Sequence, residues 1–381
     1  MSVAELMAGK RICICAGSGG VGKTTTAPAV AMGLAARGRR VAVVTIDPAR
    51  RLAGSLGLEQ LGNEPQLVEP AHFAEEGLEL QGELWAMMLD AKRTFDELIG
   101  LLAPDAATRE EILANRIYQE LSSAVAGSQE FTAVAKLYEL DASGRFDAIV
   151  LDTPPSRNAL DFLDAPQRLT GFFEGRALKV LTAPTGVAAA IAARGSGIVL
   201  SALRRVTGVD LLSDLGTFFS ALSGVVDGFA ERAGAVSRLL GDPATTFLII
   251  ASPEPAPVEE AIFFRRRLKD AGMPFGGLIV NRVHMLARNR PTIDESALLS
   301  DLGGDADLAA RSMQALADLR ALARRDSASL RRLSVELDER RPIVVPQLDC
   351  DVSDVSGLIA VQRFLFASQR ERAALLSEQE F

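Results

Sequence analysis

The sequence predicts a doubly wound, mostly parallel α/β sheet, and three observations predict it. Ile12–Ala16 is a short apolar run that breaks into glycine, Val41–Ile46 is a second that ends at Asp47-Pro48, and a helix-length segment lies between them, forming a βαβ opening. Further short apolar runs recur at Leu84–Leu89, Ala148–Leu151, Phe247–Ala251, Leu278–Val280 and Ile343–Val345, several ending in a polar or proline-containing turn. Helical stretches separate them. Unbroken apolar runs suit strands covered on both faces, and such sheets place their crevice at the carboxyl ends of the strands.

The first run leads directly into Gly17-Ser18-Gly19-Gly20-Val21-Gly22-Lys23-Thr24, which satisfies G-x-x-x-x-G-K-[ST] and opens a helix near Thr24–Ala31. Glycines let main-chain N–H groups turn inward around phosphate oxygens, and the helix N-terminus adds partial positive charge. In such a loop Lys23 neutralises β/γ-phosphate charge and the Thr24 hydroxyl ligates magnesium.

Asp47 closes the second run on the same side as Lys23. It is either a carboxylate that orients an attacking water or a turn residue bonding its own backbone ahead of Pro48. Phe146–Asp152 reads as a buried strand ending in a carboxylate, which makes Asp152 the candidate for the magnesium shell. Asp147 begins that strand, exposed or capping. Asp152-Thr153-Pro154-Pro155-Ser156 then forms a turn placed to sense a γ-phosphate.

Gly277–Arg282 ends another strand in Asn281, a candidate contact for a purine edge. A guanine-specific N-K-x-D would need lysine at 282 and aspartate at 284. Arg282 and His284 stand there instead, which favours ATP. His284 has no nearby partners for a metal site and is assigned a surface or packing role. Cys13 and Cys15 share one face of a strand and read as small buried residues.

The intervals at about 90–145 and 164–242 exceed plain crossovers and read as helical insertions in a single domain spanning 1–381. A third insertion, Arg- and Asp-rich and solvated, is expected at about 285–340. Within Asp214–Leu240, apolar residues recur at helical spacing, including Phe218, Phe219, Leu222, Val225, Val226 and Phe229. This stripe is either a helix packed on its neighbours or an apolar groove that receives a partner's segment.

Composition narrows the classes. Of 381 residues, 48% are hydrophobic and the formal net charge is −8, which disfavours non-specific attraction to nucleic acid or an anionic membrane. Three cysteines with no C-x-x-C pair argue against a disulfide framework and a zinc cluster. The N-terminus has Glu5 where an export signal needs positive charge, and the longest uncharged apolar run, Val180–Ala193, is too short to span a bilayer. A cytoplasmic protein without stable membrane insertion is expected.

Several motifs in order resemble the ArsA family, deviant-P-loop ATPases of the SIMIBI class. The family includes the arsenite-pump ATPase and the eukaryotic targeting ATPase for tail-anchored membrane proteins. Gly17–Thr25 resembles its phosphate loop, Thr45–Ala49 its switch I and Asp152–Ser156 its switch II. Leu84–Asp90, Ser252-Pro253-Glu254, Val280-Asn281-Arg282 and Val345–Leu348 resemble further family segments. The resemblance covers most of the chain.

It implies ATP hydrolysis by a dimer that opens and closes with the nucleotide cycle while its helical subdomains form a hydrophobic client site. It also implies that Gly17, Ser18, Gly19, Gly20, Val21, Gly22, Lys23, Thr24 and Thr25 hold the phosphates and that Thr24 and Asp152 hold magnesium. Asp47 then positions the water, and Asn281 and Pro346 flank adenine.

Two departures stand out. The family's signature lysine, which reaches the partner's nucleotide, belongs at position 18, where this chain has Ser18. Arg50 or Arg51 substitutes for it, a paralogous partner supplies it in a heteromer, or the chain turns over slowly. The zinc-binding C-x-x-C of the eukaryotic targeting dimer is absent too, and no cysteine cluster suits arsenite. A ParA/MinD-like positioning ATPase and a phosphoryl-transferring metabolic enzyme are the other classes this fold admits.

Overall fold

The computed structural model of the chain describes residues 1–46, 51–58, 60–115, 118–119, 129–153, 225, 228, 230–285, 295–349 and 352–378. Eight strands form one sheet: β1 (Ile12–Ala16), β2 (Arg40–Thr45), β3 (Gln66–Leu67), β4 (Glu83–Met88), β5 (Ala148–Asp152), β6 (Thr245–Ala251), β7 (Phe275–Val283) and β8 (Ile343–Pro346). Their order across the sheet is β3-β4-β2-β5-β1-β6-β7-β8, and all pairings are parallel except β3 with β4. Each of the seven apolar runs read above as strands falls on a strand, with Ile46 and Leu89 one residue past the ends of β2 and β4, so the doubly wound α/β architecture is the observed one. β3 was not anticipated, because its two residues are exposed and carry no apolar run.

The alternation of side chains divides the core in two. Cys13, Cys15, Val41, Val43, Ala148, Val150, Leu248 and Ile250 face the Lys23–Ala35 and Val355–Phe366 helices. Ile12, Ile14, Ala42, Val44, Ile149, Leu151, Phe247 and Ile249 face the Gln129–Ala142 and Pro255–Asp270 helices. With both faces covered, each large buried side chain contributes about 1.5–3 kcal/mol. Cys13 and Cys15 are free and buried, packed as small residues.

Chain order explains the crevice. From β1 the chain moves to β2 and β4 on one side, while β6, β7 and β8 build outward on the other, so the switch point lies at β1.

Between 90 and 145 the described residues form helices Ala91–Leu102, Ala106–Ala114 and Gln129–Ala142. The first two are capped by Asp90 and Asp105, whose side chains accept from the Arg93 and Thr108 N–H groups. Most of 164–242, including the greater part of the apolar stripe, lies outside the described residues. The helix over 230–241 buries Val236 and Leu240 in the second core.

The 285–340 interval needs correction. It holds Glu295–Asp301 and the long Ala306–Glu336 helix, which is not solvated all round: Ala309, Ala323, Asp326 and Leu333 are buried. Its packing against Pro255–Asp270 is rimmed by ion pairs, Arg266–Glu336 at 3.0 Å and Arg332–Glu259 at 2.7 Å. The arginine-rich composition describes the outward side only.

Candidate functional site

β1 delivers the chain into a loop whose geometry is fixed by two glycines. Gly22 takes φ 91° as the N-cap of Lys23–Ala35, and its carbonyl accepts from the N–H groups of Thr25 at 3.2 Å and Thr26 at 2.8 Å. A Cβ at Gly22 would overlap the Asn281 amide, and one at Gly17 would overlap the Ile250 carbonyl oxygen. The loop therefore passes against the ends of β6 and β7 with room for backbone alone.

Lys23 is the first residue of the helix and only 5% exposed. Its Nζ donates to the carbonyls of Gly17 and Ser18, both at 2.8 Å, so the ammonium sits inside the curl of the loop. Thr24 is the next helical residue.

Parallel register places Asp152 beside Cys15 on one side and Thr45 on the other. The Thr45 hydroxyl donates to Asp152 Oδ2 at 3.1 Å, and Asp152 is 2% exposed. Thr153 fastens the next residue, its Oγ1 donating to the Cys15 carbonyl at 2.9 Å. The Cys15 thiol is pushed well above its ordinary pKa by a hydrogen bond with Cys13, by burial and by the charge of Asp152, with Lys23 opposing.

The end of β7 closes the other side. Asn281 Nδ2 donates to the Val21 carbonyl at 3.0 Å, and Asn281 Oδ1 accepts from the Arg282 N–H at 2.9 Å. Arg282 takes φ 57°, a left-handed conformation that costs a non-glycine residue roughly 1–2 kcal/mol, and its guanidinium donates to the Gly20 carbonyl at 3.2 Å. Strain held in this way marks positions whose surroundings over-determine them. Pro346 ends β8 and pairs with Val283, so it reaches the same rim.

The structure thus brings Gly17–Thr25, Asp152, Asn281 and Pro346 to the carboxyl ends of neighbouring strands. Asp47 and Arg50 lie outside the described residues. Arg51 opens the Arg51–Ser55 helix. His284 packs through its ring Nδ1 on Asp326 at 2.8 Å. Sequence reasoning took Arg282 as a missing lysine and as part of a segment resembling a family motif, without a role of its own, yet it touches the loop. No local pattern reports a contact across so many residues.

A loop of inward-turned backbone at a helix N-terminus, with a buried ammonium within it and a threonine–carboxylate pair beside it, suits a polyphosphate and its metal. The sequence profile of the ArsA_ATPase family, described as anion-transporting ATPase, matches residues 10–294. The chain belongs to the ArsA ATPase family. The matched part of this ArsA-family chain runs from β1 through β7 and stops before the Ala306–Glu336 helix.

Among curated relatives, an uncharacterized Streptomyces coelicolor protein is 27% identical over 77% of the chain and 66% of its own length. ATPase ARSA1 of Chlamydomonas reinhardtii is 26% identical over 93% of the chain and 43% of its own length. The arsenical pump-driving ATPase of Escherichia coli is 35% identical over 42% of the chain and 26% of its own length. The chain therefore spans no more than about two thirds of these relatives. Among the described residues no helix is long and apolar enough to cross a membrane.

Proposed function

We propose that this ArsA-family chain is a magnesium-dependent ATPase that works in the cytoplasm as a dimer and couples its nucleotide state to an apolar protein or peptide client. The observation that carries the reading is the convergence of the glycine loop, Lys23 and the Thr45–Asp152 pair at the carboxyl ends of β1, β2 and β5. The main-chain N–H groups of Gly17–Thr25 and the Lys23 ammonium bind the phosphates. Thr24 and Asp152 hold the magnesium ion, which when bound supplies positive charge against the β- and γ-phosphate oxygens. Asn281 and Pro346 flank adenine.

Asp47 orients a water whose oxygen attacks the γ-phosphorus. The bond to the β,γ-bridging oxygen breaks, ADP leaves, and the water proton ends on inorganic phosphate. Catalysis here is mostly positioning and charge stabilisation. Asp47→Asn is therefore expected to keep ATP bound while slowing phosphate release by about a hundredfold or more, within the range for general-base loss. A variant as fast as wild type would remove Asp47 from the mechanism.

The insertions expected at about 90–145 and 164–242 form the client-handling part of one ATPase domain, with 164–242 falling where the family's client subdomain should be, and 285–340 is a further helical insertion. The resemblance to a family of client-handling dimers supports that reading. Ser18 carries no charge, so the transition-state cation comes from Arg50 or Arg51 in a homodimer or from a paralogous ArsA-like chain in a heteromer. Recording the mass of the purified chain with and without ATP, together with turnover, separates them. A nucleotide-stabilised homodimer that hydrolyses ATP points to the arginines, and tight binding without turnover points to the paralogue. An apolar dye whose binding does not change on adding ATP would count against the client switch.

A further inference from the structure

The rim beside the glycine loop is anchored from far away in sequence. Asp326 lies in the Ala306–Glu336 helix, 0% exposed, a place where a carboxylate must find full compensation. Its Oδ1 accepts from Arg325 Nε at 2.9 Å and Nη2 at 2.8 Å. Its Oδ2 accepts from the His284 main-chain N–H and lies against His284 Nδ1, both at 2.8 Å. His284 is two residues beyond Arg282 and three beyond Asn281, the residues that grip the Gly20 and Val21 carbonyls. A continuous bracket therefore runs from the long helix, through the end of β7, to the phosphate loop. The left-handed Arg282 lies within it, between the contact to the loop and the contact to the long helix.

We propose that Asp326 is a positioning residue for nucleoside recognition: by clamping His284 it sets the Asn281–Arg282 segment over the loop at the height the base requires. The inference rests on the reading that Asn281 flanks the base. It adds a determinant on the one long helix that follows the family match and whose buried acid a merely solvated insertion does not need. Charge-assisted hydrogen bonds of this kind hold geometry more tightly than neutral ones.

The test compares two probes, ADP and inorganic pyrophosphate, by calorimetry on the full chain. Pyrophosphate needs the loop and Lys23, whereas ADP also needs the bracket. Asp326→Ala is expected to weaken ADP about tenfold, equivalent to about 1.4 kcal/mol, and to leave pyrophosphate within about twofold. Asp326→Asn retains an acceptor for the His284 N–H and is expected to recover most of the ADP affinity. His284→Ala loses the ring contact but keeps the main-chain bond, so it falls between wild type and Asp326→Ala. It also decides the matter should Asp326→Ala fail to fold. Equal weakening of both probes, or a lowered Tm with unchanged ADP binding, would overturn the proposal. A wild-type chain that binds pyrophosphate but no ADP overturns it too. One that binds neither contradicts the ATPase reading itself, a distinguishable failure.

Discussion

Lys23 and Lys136 are both buried, 5% and 1% exposed, and their surroundings differ in kind. Lys136 on Gln129–Ala142 meets Glu139 at 2.9 Å, Glu64 at 3.6 Å and Glu97 at 3.7 Å. Burial alone lowers its pKa, but the three carboxylates outweigh burial and hold it above the ordinary value. Lys23 donates to two neutral carbonyls and stands at the N-terminus of its helix, whose partial positive charge disfavours a cation. The half-way case is Arg372, 6% exposed, which donates to the carbonyls of Phe364 and Ala367 at the C-terminal, negative end of Val355–Phe366. Lys136 thus meets carboxylates and Arg372 caps a helix C-terminus, whereas Lys23 opens a helix inside the curl of the glycine loop.

Substitutions can break that distinction. The largest effect is expected from Lys23→Ala, which should weaken ATP by about a hundredfold or more, since it removes a charge-assisted contact in a desolvated loop, while Tm changes little. Unchanged ATP affinity would take the loop out of the mechanism. Lys136→Met should do the reverse. It leaves three glutamates gathered without their cation, and because they are partly exposed the expected loss of stability is about 2 kcal/mol, below the range for fully buried pairs. Urea unfolding measures it, and a nucleotide affinity that falls in parallel would erase the contrast.

Gly22→Ala sharpens the loop side. At φ 91° and with its Cβ against the Asn281 amide, it should cost ATP binding about tenfold, which a titration reads directly, and binding equal to wild type would show that the loop yields.

The smallest effect belongs to an exposed pair, Asp147 and Arg40, at 2.9 Å. Hydrogen bonds from Arg40 lower the Asp147 pKa below the usual carboxylate range. A depressed pKa gives stability that is present above the unfolded value, about pH 4, and lost as pH falls through the folded one. Asp147→Asn should therefore lower Tm slightly at pH 7, with the difference closing below about pH 4. A difference that widened in acid would reverse the sign.

What the sequence shows and what it hides follow the same division. The loop from Gly17 to Thr24 is contiguous, so its pattern is complete before any folding. The strands are legible because both faces are covered and leave unbroken apolar runs. β3 is hidden because two exposed residues carry no such run. Lys136, Arg282 and Asp326 are hidden for another reason. Each owes its character to partners distant in sequence: Glu64 and Glu97, Gly20, and His284. Asp326 looks like one more charge in an Arg- and Asp-rich helix until the fold buries it.

Phosphate release from ATP by the purified wild-type chain and by Lys23→Ala, each with and without magnesium, tests the central claim most directly. The account predicts magnesium-dependent release, or tight ATP binding that awaits a partner chain, in wild type and the loss of both in Lys23→Ala. Wild type that neither binds nor cleaves ATP, or a Lys23→Ala variant indistinguishable from it, would contradict the account.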